Sequence, residues 1–508
     1  MMRTVKGRTD HVVVVGAGLA GLSTALHLAG RGRSVTVVER DATPGGRMGR
    51  LDIDGYRIDT GPTVLTMPEL LDDVFAAVGE KTADRVELIP VTPAYQARFA
   101  DGRTLDVHSD AEEMARQVAA FGGSEQAAGY RRLRDWLGKL YAAEFDRFIG
   151  SNFESPLSLV SPALARLVAL GGFRGWDRKV AEFISDPDLR RVFTFQSLYA
   201  GVAPQRALAA YAVIAHMDTM AGVYFPRGGM RAVPDALAAA ATDAGVRFRY
   251  GASVTELVRS GGRVHAVRTA QGDEIACDAV VLSTELHRSH ALLGHRSRRP
   301  VAVRAAPSAV ILHLGCDRGS EIAHHSLLFG AAWESVFRDI TSEGRVMSDP
   351  SLLLTRPTAA DPSLAPPGRD LFYLLAPAPN LSRGDIDWDR TGPEYAEQIL
   401  AIARRRLGSD ALRGAEVLQV VTPADWARQD MLDGSPFALA HTFAQTGPFR
   451  PANMIRGVEN VVLAGGSTVP GVGIPPVLIS GRLAADRVTG SWSEAGQAAA
   501  AFADRQVR

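Results

Sequence analysis

Apolar residues along the chain fall into short β-branched runs and longer stretches at helical spacing, and the first pair fixes how the rest is read. Residues 12–15 (VVVV) break at Gly16, and residues 19–30 (LAGLSTALHLAG) follow as a stretch of helix length. A secretion signal or a spanning helix would continue the apolar run without glycines at 16, 18 and 21. The pattern therefore predicts a strand, a tight turn and a helix. Residues 34–39 (SVTVVE) read as a second strand ending in an acid. Strand, G-x-G-x-x-G turn, helix, strand and acid in this order predict a βαβ nucleotide-binding unit. In such a unit Gly16 allows the sharp turn, Gly18 lets the backbone approach a pyrophosphate, Gly21 lets the helix pack on the sheet, and Glu39 accepts hydrogen bonds from a ribose.

Downstream, residues 41–47 (DATPGGR) make a turn followed by an arginine able to meet a phosphate with two parallel hydrogen bonds, and residues 55–62 (GYRIDTGP) read as a short strand entering a turn. Residues 112–149 are helix-compatible, with Trp136 and Tyr141 expected in the core. In residues 156–176 (PLSLVSPALARLVALGGFRGW), Ser161 and Pro162 stand as helix cap and first helical residue. There Val160, Leu164, Leu167 and Val168 recur at helical spacing, with Arg166 and Arg174 as cations and Phe173 and Trp176 as aromatics. The segment is expected to lie on a membrane surface, against the competing reading that the same stripe is buried in the core. Residues 246–284 return to strand character, and 308–316 (SAVILHLGC) and 369–377 (RDLFYLLAP) are expected to form a second sheet under a substrate pocket.

The order G-x-G-x-x-G, Glu39, Gly45-Gly46-Arg47 and D-T-G-P resembles the FAD-binding flavoproteins that include amine oxidases and carotenoid desaturases. Residues 459–488 repeat the motif of strand, glycine loop and helix start. The loop Gly465-Gly466-Ser467-Thr468-Val469-Pro470-Gly471-Val472-Gly473-Ile474-Pro475 is similar to the C-terminal signature of bacterial-type phytoene desaturases. One departure is Val469, where those enzymes usually carry a polar residue, commonly histidine. Residues 59–79, 222–241, 358–377 and 434–451 also resemble stretches of that family.

The resemblance implies an α/β, two-domain flavoprotein: a Rossmann-type FAD-binding domain (1–75, 226–290 and 455–508) interleaved with a substrate-binding, membrane-facing domain of mixed sheet and helices (76–225 and 291–454). It implies FAD held by Gly16, Ala17, Gly18, Gly21, Leu22, Glu39, Arg40, Gly46, Arg47, Gly61, Pro62, Thr63, Val254, Gly465, Gly473, Ile474 and Pro475. The expected reaction is successive desaturation of phytoene towards lycopene, with an apolar carotenoid as substrate and quinone or oxygen as electron acceptor. A C30 carotenoid desaturase, a carotenoid oxidase, a flavin amine oxidase and a non-catalytic flavin-binding protein are the alternatives. No residue is assigned to accept the substrate's proton.

Composition narrows this further. A chain of 508 residues is expected to form two or three domains, and 56 basic against 56 acidic residues give no overall field for nucleic acid. Cys277 and Cys316 lie in no metal-like spacing, so neither a structural metal nor a disulfide framework is expected, and a cytoplasmic, peripherally membrane-associated protein is. His324-His325 are read as a structural pair, Arg296, Arg298 and Arg299 as a solvated loop, and residues 495–503 as a fraying tail.

Overall fold

The computed structural model describes residues 2–155, 159–294, 302–319, 321–408 and 410–490. The first valine run lies at the centre of a five-stranded sheet in the order Val461–Leu463, Ala279–Leu282, His11–Val15, Ser34–Val38 and Arg247–Arg249. All its pairings are parallel, with Val13 between Val280 and Thr36. The four central valines are apolar on both faces because both faces are covered. Val12 and Val14 pack with residues of the helices Leu19–Gly30, Ala232–Asp243 and Ile474–Thr489. Val13 and Val15 pack with Leu257, Val264 and Val267 of a three-stranded antiparallel sheet, Val254–Ser260, Arg263–Thr269 and Glu274–Ala276. The strand-rich stretch 246–284 thus divides: its first and last strands extend the parallel sheet, and the three between them roof it.

A second, seven-stranded mixed sheet runs Glu416–Val421, Ser308–Asp317, Arg369–Ala378, Leu352–Thr355, His325–Leu328, Tyr95–Arg98 and Thr104–Val107. Its two long central strands pair antiparallel from Ser308 opposite Ala378 to Asp317 opposite Arg369. Alternation sends Leu312, Leu314, Phe372 and Leu374 into a cluster with Ile399 and Ala403 of the helix Trp388–Leu407. The opposite face turns Ile311, Tyr373 and Leu375 to a cavity.

Residues 112–149 fold as the helices Ala111–Gly122 and Ser124–Glu144, followed by a π-helical turn at Phe145–Ile149. Trp136 is buried and Tyr141 stacks on His216 with centroids 4.3 Å apart. The cap at Ser161 forms as expected, its Oγ accepting the Leu164 N–H at 3.3 Å. The single apolar face does not. Leu167 is 5% exposed and packs in a cluster with Trp136 and Trp176, whereas Val160 and Val168 are 74% and 57% exposed. Adjacent helical residues point about 100° apart, so a helix of two turns, Pro162–Ala169, lodges Leu167 in the core and aims Val168 outward. Trp176 is not interfacial either: the chain turns after this helix and begins another, Trp176–Ala181, burying the indole with its Nε1–H on the Phe193 carbonyl at 3.0 Å. Arg174 is ion-paired with Glu182. Phe173 remains 45% exposed.

The two thiols are unpaired, and burial pushes each up to about 12. His324 and His325 are buried edge to face, and one ring nitrogen of His325 lies 3.1 Å from the Thr63 carbonyl. Among the described residues no three potential metal ligands cluster, and no helix is long and apolar enough to cross a membrane. Arg296, Arg298, Arg299 and residues 495–503 lie outside the described residues.

Candidate active site

Two helices begin at the edge of one cavity. Leu19–Gly30 starts at Gly18 and Ile474–Thr489 at Gly473, and neither start has a side-chain cap. Their first N–H groups are left for a ligand, and the positive ends of both helix dipoles favour an anion. The helices hold each other closely, with Ser23 Oγ donating to the Leu478 carbonyl at 2.8 Å and a Cβ at Gly481 excluded by the Ala20 carbonyl 2.6 Å away.

The three glycines of the first turn differ in what surrounds them. Gly16 has φ +105°, and a Cβ on Gly21 would stand 2.0 Å from the Gly16 carbonyl oxygen. Gly18 has an ordinary φ of −72°, and a Cβ there would meet nothing nearer than Gly46 Cα at 3.9 Å. Fold geometry therefore accounts for glycine at 16 and 21 but not at 18, where the open space faces the cavity.

Glu39 is 5% exposed, and its carboxylate accepts the Ala17 N–H at 2.6 Å on one oxygen and the Asp41 N–H at 2.9 Å on the other. Each oxygen retains acceptor capacity for a ribose hydroxyl. Gly45 N–H reaches the Ala17 carbonyl at 2.9 Å, which ties the G-G-R turn to the glycine loop. Arg47 is ion-paired with Glu285, leaving its Nε and the Glu285 Oε2 buried without hydrogen-bond partners among the described residues.

The cavity encloses about 1170 Å³. Of the residues expected to hold the cofactor, Gly16, Gly18, Glu39, Arg40, Gly46, Arg47, Gly61, Pro62, Thr63, Val254, Gly465, Gly473, Ile474 and Pro475 line it. Ala17, Gly21 and Leu22 do not: Ala17 is buried with its N–H on Glu39, Gly21 packs on Gly16, and Leu22 belongs to the core under the sheet.

A model of the flavin-containing amine oxidoreductase family matches residues 19–489. The chain is 60% identical over 492 residues to a phytoene dehydrogenase of Streptomyces griseus, covering 96% of this chain and 97% of that one. It is 36% identical over 507 residues to a zeta-carotene-forming phytoene desaturase of Myxococcus xanthus, covering 97% and 96%. The chain belongs to the flavin-containing amine oxidoreductases. Within them it is a member of the carotenoid desaturase group and an FAD-dependent oxidoreductase. Its fold is shared by an oxidoreductase of Methanosarcina mazei, 17% identical, with a TM-score of 0.62 over 93% of this chain and 98% of that one.

The glycine-lined end of the cavity fits the flavin dinucleotide of this family. An open approach at Gly18, two uncapped helix starts and a buried ribose acceptor suit pyrophosphate and adenosine, and the loop 465–475 forms the facing wall. That loop is riveted by Arg450, which is 2% exposed and donates to the carbonyls of Thr468 at 2.8 Å, Gly466 at 2.6 Å and Gln445 at 3.2 Å.

Beyond the glycine loops, at its far end, the cavity is lined by Glu144, Tyr199, Tyr211, Met217, Asp218, Ile311 and Tyr373, and His441 stands against the loop 465–475. Burial pushes the carboxyls of Glu144 and Asp218 well above the ordinary carboxylate range, towards the neutral acid. Asp218 meets the Tyr95 hydroxyl and the Gln196 amide, both at 3.3 Å, whereas Glu144 Oε1 has no partner among the described residues. Phe173, Phe443 and Phe449 both line the cavity and reach solvent, with Phe443 58% exposed, so the apolar end opens there. Its sequence signals were the strand candidates 308–316 and 369–377, which carry Ile311 and Tyr373, and the family-like stretch 434–451, which carries His441. Its other residues are scattered through helices and turns.

Proposed function

We propose that this protein desaturates phytoene in successive steps towards lycopene, drawing the polyene from a cytoplasmic membrane face on which it docks peripherally, with quinone or oxygen reoxidising the flavin. The observation that carries the reading is the single cavity joining the glycine loops to an apolar mouth. Its volume exceeds the roughly 300–1,000 Å³ of ordinary ligand sites, as a space for both a dinucleotide and a long apolar chain must.

Desaturation removes two hydrogens from adjacent allylic carbons of a substrate with no charged handle. FAD supplies the hydride-accepting ring when bound. The protein's part is to hold the polyene in register and exclude water, which Ile214, Met217, Ile311, Leu353 and Leu375 do as apolar lining.

For membrane contact, the exposed Phe173 and Phe443 at the mouth, with Val168 on the helix Pro162–Ala169 and Val160 just before its cap, provide apolar area for interfacial docking. Purified protein given phytoene in liposomes is expected to yield coloured polyenes, and phytoene left unchanged would reject the assignment. Replacing Phe173 and Phe443 by Ser is expected to lower liposome pelleting severalfold without moving Tm. Leu167→Ser is expected instead to cost about 2–5 kcal/mol of stability, as for a buried leucine.

A further inference from the structure

Removing the second hydrogen requires a base, and the titratable groups on the cavity wall differ in whether they can serve. Glu39 is engaged at the glycine loop, Glu285 pairs with Arg47, and Asp430 pairs with Arg288 and His287. Glu144 and Asp218 are held towards the neutral acid. Among the described residues His441 is the one histidine lining the cavity. Its imidazole occupies the space a side chain at Gly471 would need: a Cβ there would stand 2.4 Å from His441 Cε1 and 2.8 Å from Nε2. The ring is thus seated on the loop 465–475, the cavity wall expected to face the flavin. Its backbone N–H is fixed on the Ala200 carbonyl at 2.8 Å, and Tyr211 meets the ring edge to face at 5.2 Å. No hydrogen bond to its ring nitrogens is seen among the described residues.

We propose that His441 accepts the proton released in each desaturation. This rests on the desaturase reading above. One allylic carbon would give up a hydride with its electron pair, for which FAD, when bound, supplies the acceptor. The neighbouring carbon gives up a proton to an imidazole nitrogen of His441, and the electrons of that C–H bond become the new C=C bond. The imidazolium would then pass its proton to solvent, and quinone or oxygen would be the final acceptor of the two electrons. Burial, with the positive Arg450 nearby, keeps the imidazole unprotonated well below its usual range. Such a base is weak, but a carbon losing hydride becomes so strong an acid that a weak base suffices. The groups facing the ring are Tyr211, whose own environment includes Glu144 and Arg450, and Arg450 itself. None of them adds a negative charge while Glu144 is neutral.

The test uses the FAD-loaded protein with phytoene liposomes under anaerobic conditions, comparing wild type, His441→Gln and His441→Ala. Both variants are expected to keep flavin occupancy within twofold of wild type by visible absorbance. Flavin bleaching should slow by about 10²-fold or more, the usual range for a lost general base. Added imidazole should restore at least a tenth of the rate to His441→Ala and nothing to His441→Gln, whose side chain fills the site. Separately, 13C-histidine NMR of the wild type should show the His441 ring neutral at pH 6. Wild-type bleaching rates in His441→Gln, flavin loss in both variants, or a ring protonated at pH 7 would each overturn the proposal. A wild type that does not bleach with phytoene removes the substrate assignment, and the NMR titration still decides whether His441 is available as a base.

Discussion

The two ends of the cavity are built on opposite principles. At the dinucleotide end the chain offers backbone: glycine turns, two helix starts, and one acid that fastens the loop it serves. At the polyene end it offers side chains from separate segments, with acids buried towards neutrality and aromatics at an open mouth. A charged ligand is held by fixed dipoles at close range, which only particular residues in a particular order can provide. An apolar chain needs surface and dryness, which many residues from many places can provide.

The largest effect expected from breaking this contrast is at Gly18. Gly18→Val places a branched side chain in otherwise open space at an ordinary φ, so the fold should stand while the pyrophosphate is excluded. Purified Gly18→Val should carry almost no FAD and melt with the flavin-free wild type. Full FAD content would show that the ligand does not pass there. Gly21→Ala is the counterpart: its methyl would meet the Gly16 carbonyl at 2.0 Å, and Tm should fall whether or not FAD is present. Next in size is Glu39→Ala. Charge-assisted hydrogen bonds are worth about 1.5–3 kcal/mol each, so losing a ribose contact should lower FAD affinity more than tenfold. Because Ala17 and Asp41 also lose their acceptor, the flavin-free protein should be less stable too, unlike Gly18→Val. Equal Tm values for flavin-free Glu39→Ala and wild type would argue against the loop-fastening role.

The contrast also explains what could be read in the sequence. Residues 12–39 were legible because glycine spacing, β-branched runs and a terminal acid each have few physical solutions, and residues 461–476 repeated the pattern. The strand candidates 308–316 and 369–377 were expected to form a sheet under a substrate pocket, and Ile311 and Tyr373 on those strands line the cavity. Leu167 and Val168 show the limit: the helix start at Ser161-Pro162 was legible, but whether each position meets core or solvent depends on what packs beside a two-turn helix. His441 lay within the family-like stretch 434–451, but nothing in the sequence placed its ring, which is set by contact with Gly471 in a different segment.

The smallest effect expected, and the sharpest on the division of labour at the far end, is that of Glu144→Gln. Burial raises the Glu144 pKa in the folded protein above the roughly 4.3 of an unfolded chain. The folded state therefore keeps a proton that the unfolded state loses. Glu144's contribution to stability is full below about pH 4 and is lost as pH rises through the folded value. Gln keeps the shape and removes the titration, so the variant should match wild type near pH 4 and gain on it steadily above pH 5. Every tenfold by which folding weakens this acid is worth about 1.4 kcal/mol. In a chain of this length that amounts to a Tm difference of about 1 °C per tenfold, from the usual unfolding entropy per residue. Flavin bleaching by phytoene should be nearly unchanged in the same variant, because a neutral acid is not the base. A Tm difference that is flat with pH would mean that Glu144 is ionised in the folded protein. If that result came with a hundredfold loss of bleaching rate, the proton would go to Glu144 and not to His441.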